Sequence, residues 1–303
     1  MTELTVFQQK IRDFLPEIQL RFEEPMAKHT SFRIGGPAEV MAFPGSAEEL
    51  SSIFKVSVLL DIKPYILGAG TNILAPDEGL PGLTICLKDC LDGMEDLGQG
   101  RIRVAAGVTM ARAAVFAANL GLSGLEFAHG IPGSIGGGVY MNAGAYGGEI
   151  CQVCESVEVM GRDGAIMEYS NEQMGFSYRH SRLEETEEVV VSAVFRLVEK
   201  PAEEIKEKMQ ELMARRRASQ PLDMPSAGSA FKRPVGGYAA ALIDGCGLKG
   251  FSVGGAGVSV KHAGFVVNLG GATAQDVKQV LTQVSRRVFD DTGIQLEPEV
   301  RIW

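Results

Sequence analysis

Two kinds of residue in this chain could do chemistry: backbone donors gathered in glycine-rich loops, and a few polar side chains in unusual surroundings. The densest loop reads G-I-P-G-S-I-G-G-G-V-Y-M-N-A-G-A-Y-G-G over residues 130–148. Between Phe127 and Gly148 there is no Lys, Arg, Asp or Glu, and His129 is the only group able to titrate near neutrality. Eight of those 22 residues are glycine. Such a run is not expected to form a conventional helix, because glycine costs about 0.8–1 kcal/mol relative to alanine at each interior helical position. Its N–H groups can instead approach an anion closely, and consecutive donors form a nest suited to phosphate or pyrophosphate. Tight turns packing loops against a sheet would use the same residues, so composition leaves both open.

The polar side chains that stand out are Tyr178-Arg179-His180-Ser181, Ser229 within A-G-S-A, and the pair Glu297 and Glu299 near the end of the chain. Each has a plain structural alternative: a charge at a strand end, a turn cap, one face of a terminal strand. Cys86 and Cys90 form a C-x3-C pair, and Cys151 and Cys154 a C-x2-C pair, of a kind that can ligate zinc. Their flanks read as strands, so no metal is expected.

The elements that must position these residues follow from periodicity. Residues 6–18 have helical apolar spacing. A strand at 38–43, turn chemistry at 44–46 with Ser46 as a cap, a helix at 47–60 and a strand at 64–67 make a small β-α-β unit. It ends in G-A-G-T-N-I-L at residues 68–74, which opens like the G-x-G-x-x-G dinucleotide fingerprint but has Ile73 in place of the third glycine and Pro76 where a helix should run. The same failure recurs at 136–141 and 255–260, so a dinucleotide would bind to a fold other than the Rossmann type. Strands are expected at 83–87, 101–105, 153–159 and 188–198, with a helix at 109–119, giving an α+β domain of about residues 80–200 around the glycine run. A charged helix at 201–217 reads as a linker. A third region from about 219 carries a strand at 264–269 and a helix at 273–292.

The chain has 303 residues, a net charge of −9 and 37 glycines, well above the usual ~7% glycine. The acidic balance argues against a broad nucleic-acid surface, and the basic run Arg215-Arg216-Arg217 reads as a solvated helix face. No stretch has the composition of a membrane span, and the first residues lack the basic-then-apolar pattern of a secretory signal. Five cysteines, an odd number in a long chain, fit a reducing compartment. A cytoplasmic protein with no protein partner implied is the expectation.

Seven motifs occur in order: T-S-F-R-I-G-G at 30–36, L-G-A-G-T-N at 67–72, G-I-P-G-S-I-G-G at 130–137, M-N-A-G-A-Y-G at 141–147, S-Y-R-H-S at 177–181, A-G-S-A-F-K at 227–232 and L-E-P-E-V-R at 296–301. Together they resemble the UDP-N-acetylenolpyruvoylglucosamine reductase (MurB) family over nearly the whole chain, and the absence of a tyrosine-bearing loop after Arg179 resembles its shorter, second type. The resemblance implies an α+β chain with the FAD-binding fold of the vanillyl-alcohol oxidase / p-cresol methylhydroxylase type in two subdomains, residues 1–80 and 81–200, followed by a C-terminal α+β UDP-sugar domain, residues 201–303. It implies that NADPH reduces FAD, which then delivers hydride to the enolpyruvyl group to form UDP-N-acetylmuramate. By family match, Arg179 stabilises charge on the substrate carboxylate, Ser229 donates the proton, and Glu299 is the catalytic glutamate. A carboxylate beside a developing enolate is repulsive, so Glu299 is expected to have a raised pKa or to share its charge with Arg179. FAD is expected to bind non-covalently through Gly68, Ala69, Gly70, Thr71 and Asn72, and through Gly130, Ile131, Pro132, Gly133, Ser134, Gly137, Asn142, Ala143 and Gly144. Lys232, His262 and Asn268 are candidate sugar-nucleotide contacts. Two alternatives stay open at this level: the same flavin fold oxidising a small alcohol or phenol with oxygen, and a non-enzymatic sugar-nucleotide binder.

Overall fold

The structure, a computed structural model, describes residues 3–88 and 90–303. The chain divides into two compact units, one made of residues up to Phe22, Glu39–Ala69 and Gly82–Ala214, the other of Glu23–Ala38, Gly70–Pro81 and Arg215–Trp303.

The first unit holds the bulk of a four-stranded sheet in the order Gln19–Pro25, Pro37–Phe43, Leu80–Cys86, Tyr65–Leu67, the last two parallel with Leu67 opposite Cys86. Its helices start where local chemistry dictates. Thr5 and Gln8 form a capping box before Val6–Phe14, and the Ser46 hydroxyl accepts from the Glu49 N–H at 3.2 Å at the start of Ala47–Leu59, each satisfying donors that a helix start leaves orphaned. A five-stranded antiparallel sheet follows, ordered Ile166–Ser170, Cys154–Met160, Val189–Arg196, Arg101–Ala105, Met94–Gly98. Its central strand, V-V-V-S-A-V-F-R, is buried at every position but the last, the pattern of a strand covered on both faces whose buried residues are apolar but for Ser192. Helix Met110–Asn119 buries Ala113, Ala114, Ala117 and Ala118, small side chains on one stripe.

The glycine run departs from expectation. Ile135–Tyr140, I-G-G-G-V-Y, is a short helix capped by Ser134 and packed on Val189–Arg196 and Arg101–Ala105. Tertiary packing overrides the glycine penalty: a Cβ at Gly136 would lie 3.0 Å from the Ala106 Cβ and 3.3 Å from its carbonyl, and one at Gly138 would lie 3.0 Å from the Met110 Sδ. A larger residue at either position would force its neighbour aside. Helix Ala202–Ser219 also does more than link, since Ile205 and Met209 lie on one apolar stripe within the first unit's core.

The second unit contains an antiparallel sheet in the order Ser226–Ser229, Phe265–Asn268, Ala256–Val258, Ser252–Val253. Helix Ala274–Thr292 packs on it, entering through a Thr273/Asp276 capping box and ending at Gly293 in the left-handed conformation. Two earlier stretches complete this unit. Phe32, Ile34 and Leu74 are buried with Ala227, Phe231, Val266, Val277 and Val300, and Ile73–Leu74 pairs in parallel with Arg301–Ile302.

Candidate active site

In the first unit the two glycine loops meet. A Cβ on Gly68 would lie 2.7 Å from the Ser134 Oγ, so the 67–69 loop lies against the hydroxyl that starts the short helix. Ser134 is 1% exposed, and its hydroxyl caps the helix by accepting from Gly137 N–H at 3.4 Å. The neighbouring 106–110 stretch holds the loop in place: Met110 N–H donates to the Gly133 carbonyl at 2.9 Å, Ile135 N–H to Val108 at 2.8 Å and Gly136 N–H to Ala106 at 2.9 Å. The donors of Gly138, Met141, Asn142 and Ala143 are also engaged within the protein. Those of Gly68, Ala69, Gly130, Gly133 and Ser134 make no hydrogen bond among the described residues. Half-buried loops with open N–H groups fit the pyrophosphate of a dinucleotide. Ile131 donates to Ala128 at 3.0 Å, and Pro132 and Gly137 are exposed.

Arg179 also belongs to this unit. Ser177 and His180 exchange backbone hydrogen bonds at 3.1 and 3.2 Å, which leaves Tyr178 and Arg179 as the two-residue tip of a tight turn. Arg179 has φ +55°, a conformation that costs a non-glycine residue about 1–3 kcal/mol. Its half-buried guanidinium donates to the Gly144 carbonyl at 3.0 Å. Ser181 beneath it is fully buried and donates to the Tyr140 carbonyl at 2.8 Å. Asn142, expected among the flavin contacts, is 1% exposed, and its side chain bonds Glu149, Ser177 and the Cys151 N–H. Glu149 had no signal in the sequence beyond its place after the glycine run. Cys154 is buried, which pushes its thiol up to about 12, and burial also raises Cys151. Among the described residues no group of three or more His, Cys, Asp or Glu is arranged to hold a metal ion.

In the second unit the structure brings together residues far apart in the chain. Gly70, at φ +64°, would carry a Cβ only 1.9 Å from the His29 carbonyl. Two residues on, Asn72 donates from Nδ2 to the Glu299 carbonyl at 3.1 Å and accepts from the Arg301 N–H at 2.9 Å. Ser229 ends the strand Ser226–Ser229, and the next residues pair with the chain end: Glu299 N–H donates to the Ala230 carbonyl at 2.9 Å and Lys232 N–H to the Glu297 carbonyl at 2.9 Å. Ser229, Lys232, Glu299 and Asn72 therefore share one edge. Ser229 is exposed, and its hydroxyl makes no hydrogen bond among the described residues. Glu299 is half-buried. Lys232 is exposed and lies 3.7 Å from the Glu297 carboxylate. Ser31, in T-S-F-R-I-G-G, donates to the Ser226 carbonyl at 2.6 Å.

His262 and Asn268 flank the same sheet. His262 Nδ1 accepts from the Gly264 N–H at 3.1 Å, and its ring meets Phe265 edge-on with centroids 5.0 Å apart. Burial, followed by the charge of Lys249, holds its pKa below 6.5. Asn268 donates to the Phe32 carbonyl at 3.0 Å and accepts from Gly270 and Ala272 at 2.9 and 3.2 Å. That leaves one amide hydrogen, so its main work is shaping the turn.

The family model described as the FAD binding domain matches residues 38–170, and the one described as the C-terminal domain of UDP-N-acetylenolpyruvoylglucosamine reductase matches residues 220–303. The chain is 45% identical over 302 residues to UDP-N-acetylenolpyruvoylglucosamine reductase of Caldanaerobacter subterraneus, covering 100% of this chain and 99% of the relative. The crystal structure of the reductase of Thermus caldophilus is similar with a TM-score of 0.79 at 37% identity, over 95% of this chain and 99% of that one. A berberine bridge enzyme-like protein of Physcomitrella patens, at 14% identity, TM-score 0.50 and 64% of this chain against 45% of that one, shares the fold alone. The α+β architecture with an FAD-binding domain of the vanillyl-alcohol oxidase / p-cresol methylhydroxylase type thus stands. With both family models and a full-length relative in agreement, the chain belongs to the UDP-N-acetylenolpyruvoylglucosamine reductase family.

Proposed function

We infer that this protein is an FAD-containing, NADPH-dependent oxidoreductase that reduces UDP-N-acetylglucosamine enolpyruvate to UDP-N-acetylmuramate in peptidoglycan precursor synthesis. The observation that carries this reading is the family match along the entire chain at 45% identity. Bound FAD supplies to the enolpyruvyl double bond a hydride that it receives from NADPH.

The protein's own part is to hold, orient and polarise. The open N–H groups of Gly68, Ala69, Gly130, Gly133 and Ser134 are the donors we assign to the FAD pyrophosphate. Hydride addition to the terminal alkene carbon pushes negative charge towards the substrate carboxylate. We assign its stabilisation to Arg179, whose planar fork can engage a carboxylate at two points. Ser229, with a hydroxyl uncommitted to the fold, is assigned as the proton donor to the internal carbon. Glu299 belongs to the same step and must be protonated or paired there, since a bare carboxylate would repel the developing enolate. Lys232 and His262 are assigned to the UDP-sugar, and Asn268 to the turn beside them. Residues 1–80 and 81–200 would then supply the flavin-binding part and 201–303 most of the UDP-sugar-binding part, with 23–38 and 70–81 packed into the same unit as the latter.

We place the reaction in the cytoplasm, supported by five free cysteines and by the need for NADPH and a nucleotide sugar; it needs no protein, nucleic-acid or membrane partner. No helix among the described residues is long and apolar enough to cross a membrane. The test is a visible absorption spectrum of the purified protein under anaerobic conditions. A flavin spectrum is expected that bleaches on adding NADPH and returns on adding the enolpyruvyl UDP-sugar. Return only with oxygen, or no flavin after incubation with FAD, would defeat the reading.

A further inference from the structure

The side chain of Asn142 closes a circuit that ends on Arg179. Its amide makes three hydrogen bonds, with both donor hydrogens used: Oδ1 accepts from the Cys151 N–H at 3.0 Å, and Nδ2 donates to the Glu149 carboxylate at 3.0 Å and to the Ser177 carbonyl at 2.9 Å. That carbonyl also accepts the His180 N–H at 3.2 Å, the bond that closes the turn bearing Arg179. The Arg179 guanidinium in turn donates to the Gly144 carbonyl, two residues beyond Asn142. Asn142, Tyr146 and Arg179 all have positive φ, at +41°, +54° and +55°, so non-glycine backbone in an unfavourable region gathers around this one circuit. Only asparagine suits the site. Aspartate keeps the acceptor but cannot donate, glutamine is one carbon longer, and asparagine tolerates the left-handed backbone better than most residues.

We propose that Asn142 is a positioning residue for the reductase reaction: its buried amide clamps the 177–180 turn so that the Arg179 guanidinium stays at the Gly144 carbonyl. Asn142 is then not a flavin contact. This rests on the reading of Arg179 as the group that meets the substrate carboxylate. A small displacement of such a group is enough to cost about 10²-fold in rate.

The test uses the flavin-loaded enzyme with Asn142→Asp, which is isosteric, and Asn142→Ala, with stopped-flow absorbance following each half-reaction. Reoxidation by the enolpyruvyl UDP-sugar is expected to slow about 10- to 100-fold, while flavin content and reduction by NADPH stay within about twofold. Amide hydrogen exchange over 177–181 is expected to speed up. Adding Glu149→Gln to Asn142→Asp, which replaces a repelling carboxylate with an amide donor, is expected to recover part of the rate. In an Arg179→Lys background, Asn142→Ala is expected to add less than about threefold, the non-additivity of residues acting through one group. Loss of flavin, or equal slowing of both half-reactions, would overturn the proposal by making Asn142 a flavin or fold residue. Full additivity with Arg179→Lys would overturn it while leaving the role of Arg179 intact. Wild-type turnover in Arg179→Lys would defeat the reading of Arg179 and this proposal with it.

Discussion

Ser229 and Asn142 represent opposite uses of a small polar side chain. Asn142 is buried with its amide oxygen and both amide hydrogens bonded, whereas Ser229 is exposed at a strand end with a hydroxyl that serves no bond among the described residues. Removing the Ser229 hydroxyl is therefore expected to leave the thermal midpoint within about 1 °C, inside the usual range for surface substitutions. The chemical effect is confined to one half-reaction, because a proton donor at the internal carbon acts after flavin reduction. In Ser229→Ala, reduction by NADPH is expected to proceed as in the wild type, and reoxidation by the enolpyruvyl UDP-sugar to slow about 10²- to 10⁴-fold, the worth of a positioned general acid. Stopped-flow absorbance reads both steps. Parallel slowing of the two would make Ser229 a binding residue instead.

At the scale of elements, the short helix Ile135–Tyr140 separates glycines required by packing from one left open. A Cβ on Gly136 would lie 3.0 and 3.3 Å from the Ala106 Cβ and carbonyl, whereas one on Gly137 would meet nothing nearer than the Ser134 Oγ at 3.6 Å. Gly136→Ala is thus expected to destabilise the flavin-free protein by about 1–3 kcal/mol through overpacking. Gly137→Ala is expected to stabilise it by up to about 1 kcal/mol, since alanine loses less backbone entropy on folding, yet to weaken flavin retention, because the added methyl projects at the exposed face of the glycine loops. Urea titration and flavin release on dilution measure the two effects. Equal flavin affinity in Gly137→Ala and wild type would remove that residue from the cofactor site.

Across the whole molecule, stability is expected to fall in acid in two windows. His262 is held below its ordinary 6.5 by burial. As the pH drops through about 6.5 the unfolded chain takes up the proton first, and stability declines until the lower folded value is passed. Asp276, stabilised as a carboxylate by the Thr273 and Gly255 N–H groups, and Glu187, beside Lys63 and Arg162, act further down. Their contribution is fully present above the ordinary carboxylate values of 3.8 and 4.5 and is lost as the pH falls through their depressed folded values. Thermal midpoints from pH 8 to pH 3 record both windows. His262→Asn, which keeps an acceptor for the Gly264 N–H, is expected to flatten the upper one and leave the lower; an unchanged upper slope would assign it to another group.

Much of this was legible in order along the chain. The cap at Ser46 follows from a hydroxyl placed ahead of an apolar period and is found as expected, because capping is a contact between residues three apart; Thr109 and Thr273, where the next two helices were expected to begin, cap theirs in the same way. The seven motifs identified the family, and the failed dinucleotide fingerprint at 68–73 excluded the Rossmann helix, since both depend on residue type at short spacing. Three features were decided only by the tertiary structure. The glycine run contains a helix because Ala106 and Met110 lie against it, a gain that propensity does not record. Ser31 bonds Ser226 and Asn72 bonds Glu299 across 195 and 227 residues, which draws 23–38 and 70–81 into the unit of the C-terminal region. Asn142 reads as one more member of a glycine-rich motif until folding buries it against Glu149, Cys151 and Ser177. The physical reason is common to all three: local sequence reports what a residue can do with its near neighbours, whereas burial and long-range hydrogen bonds depend on which distant segments arrive beside it.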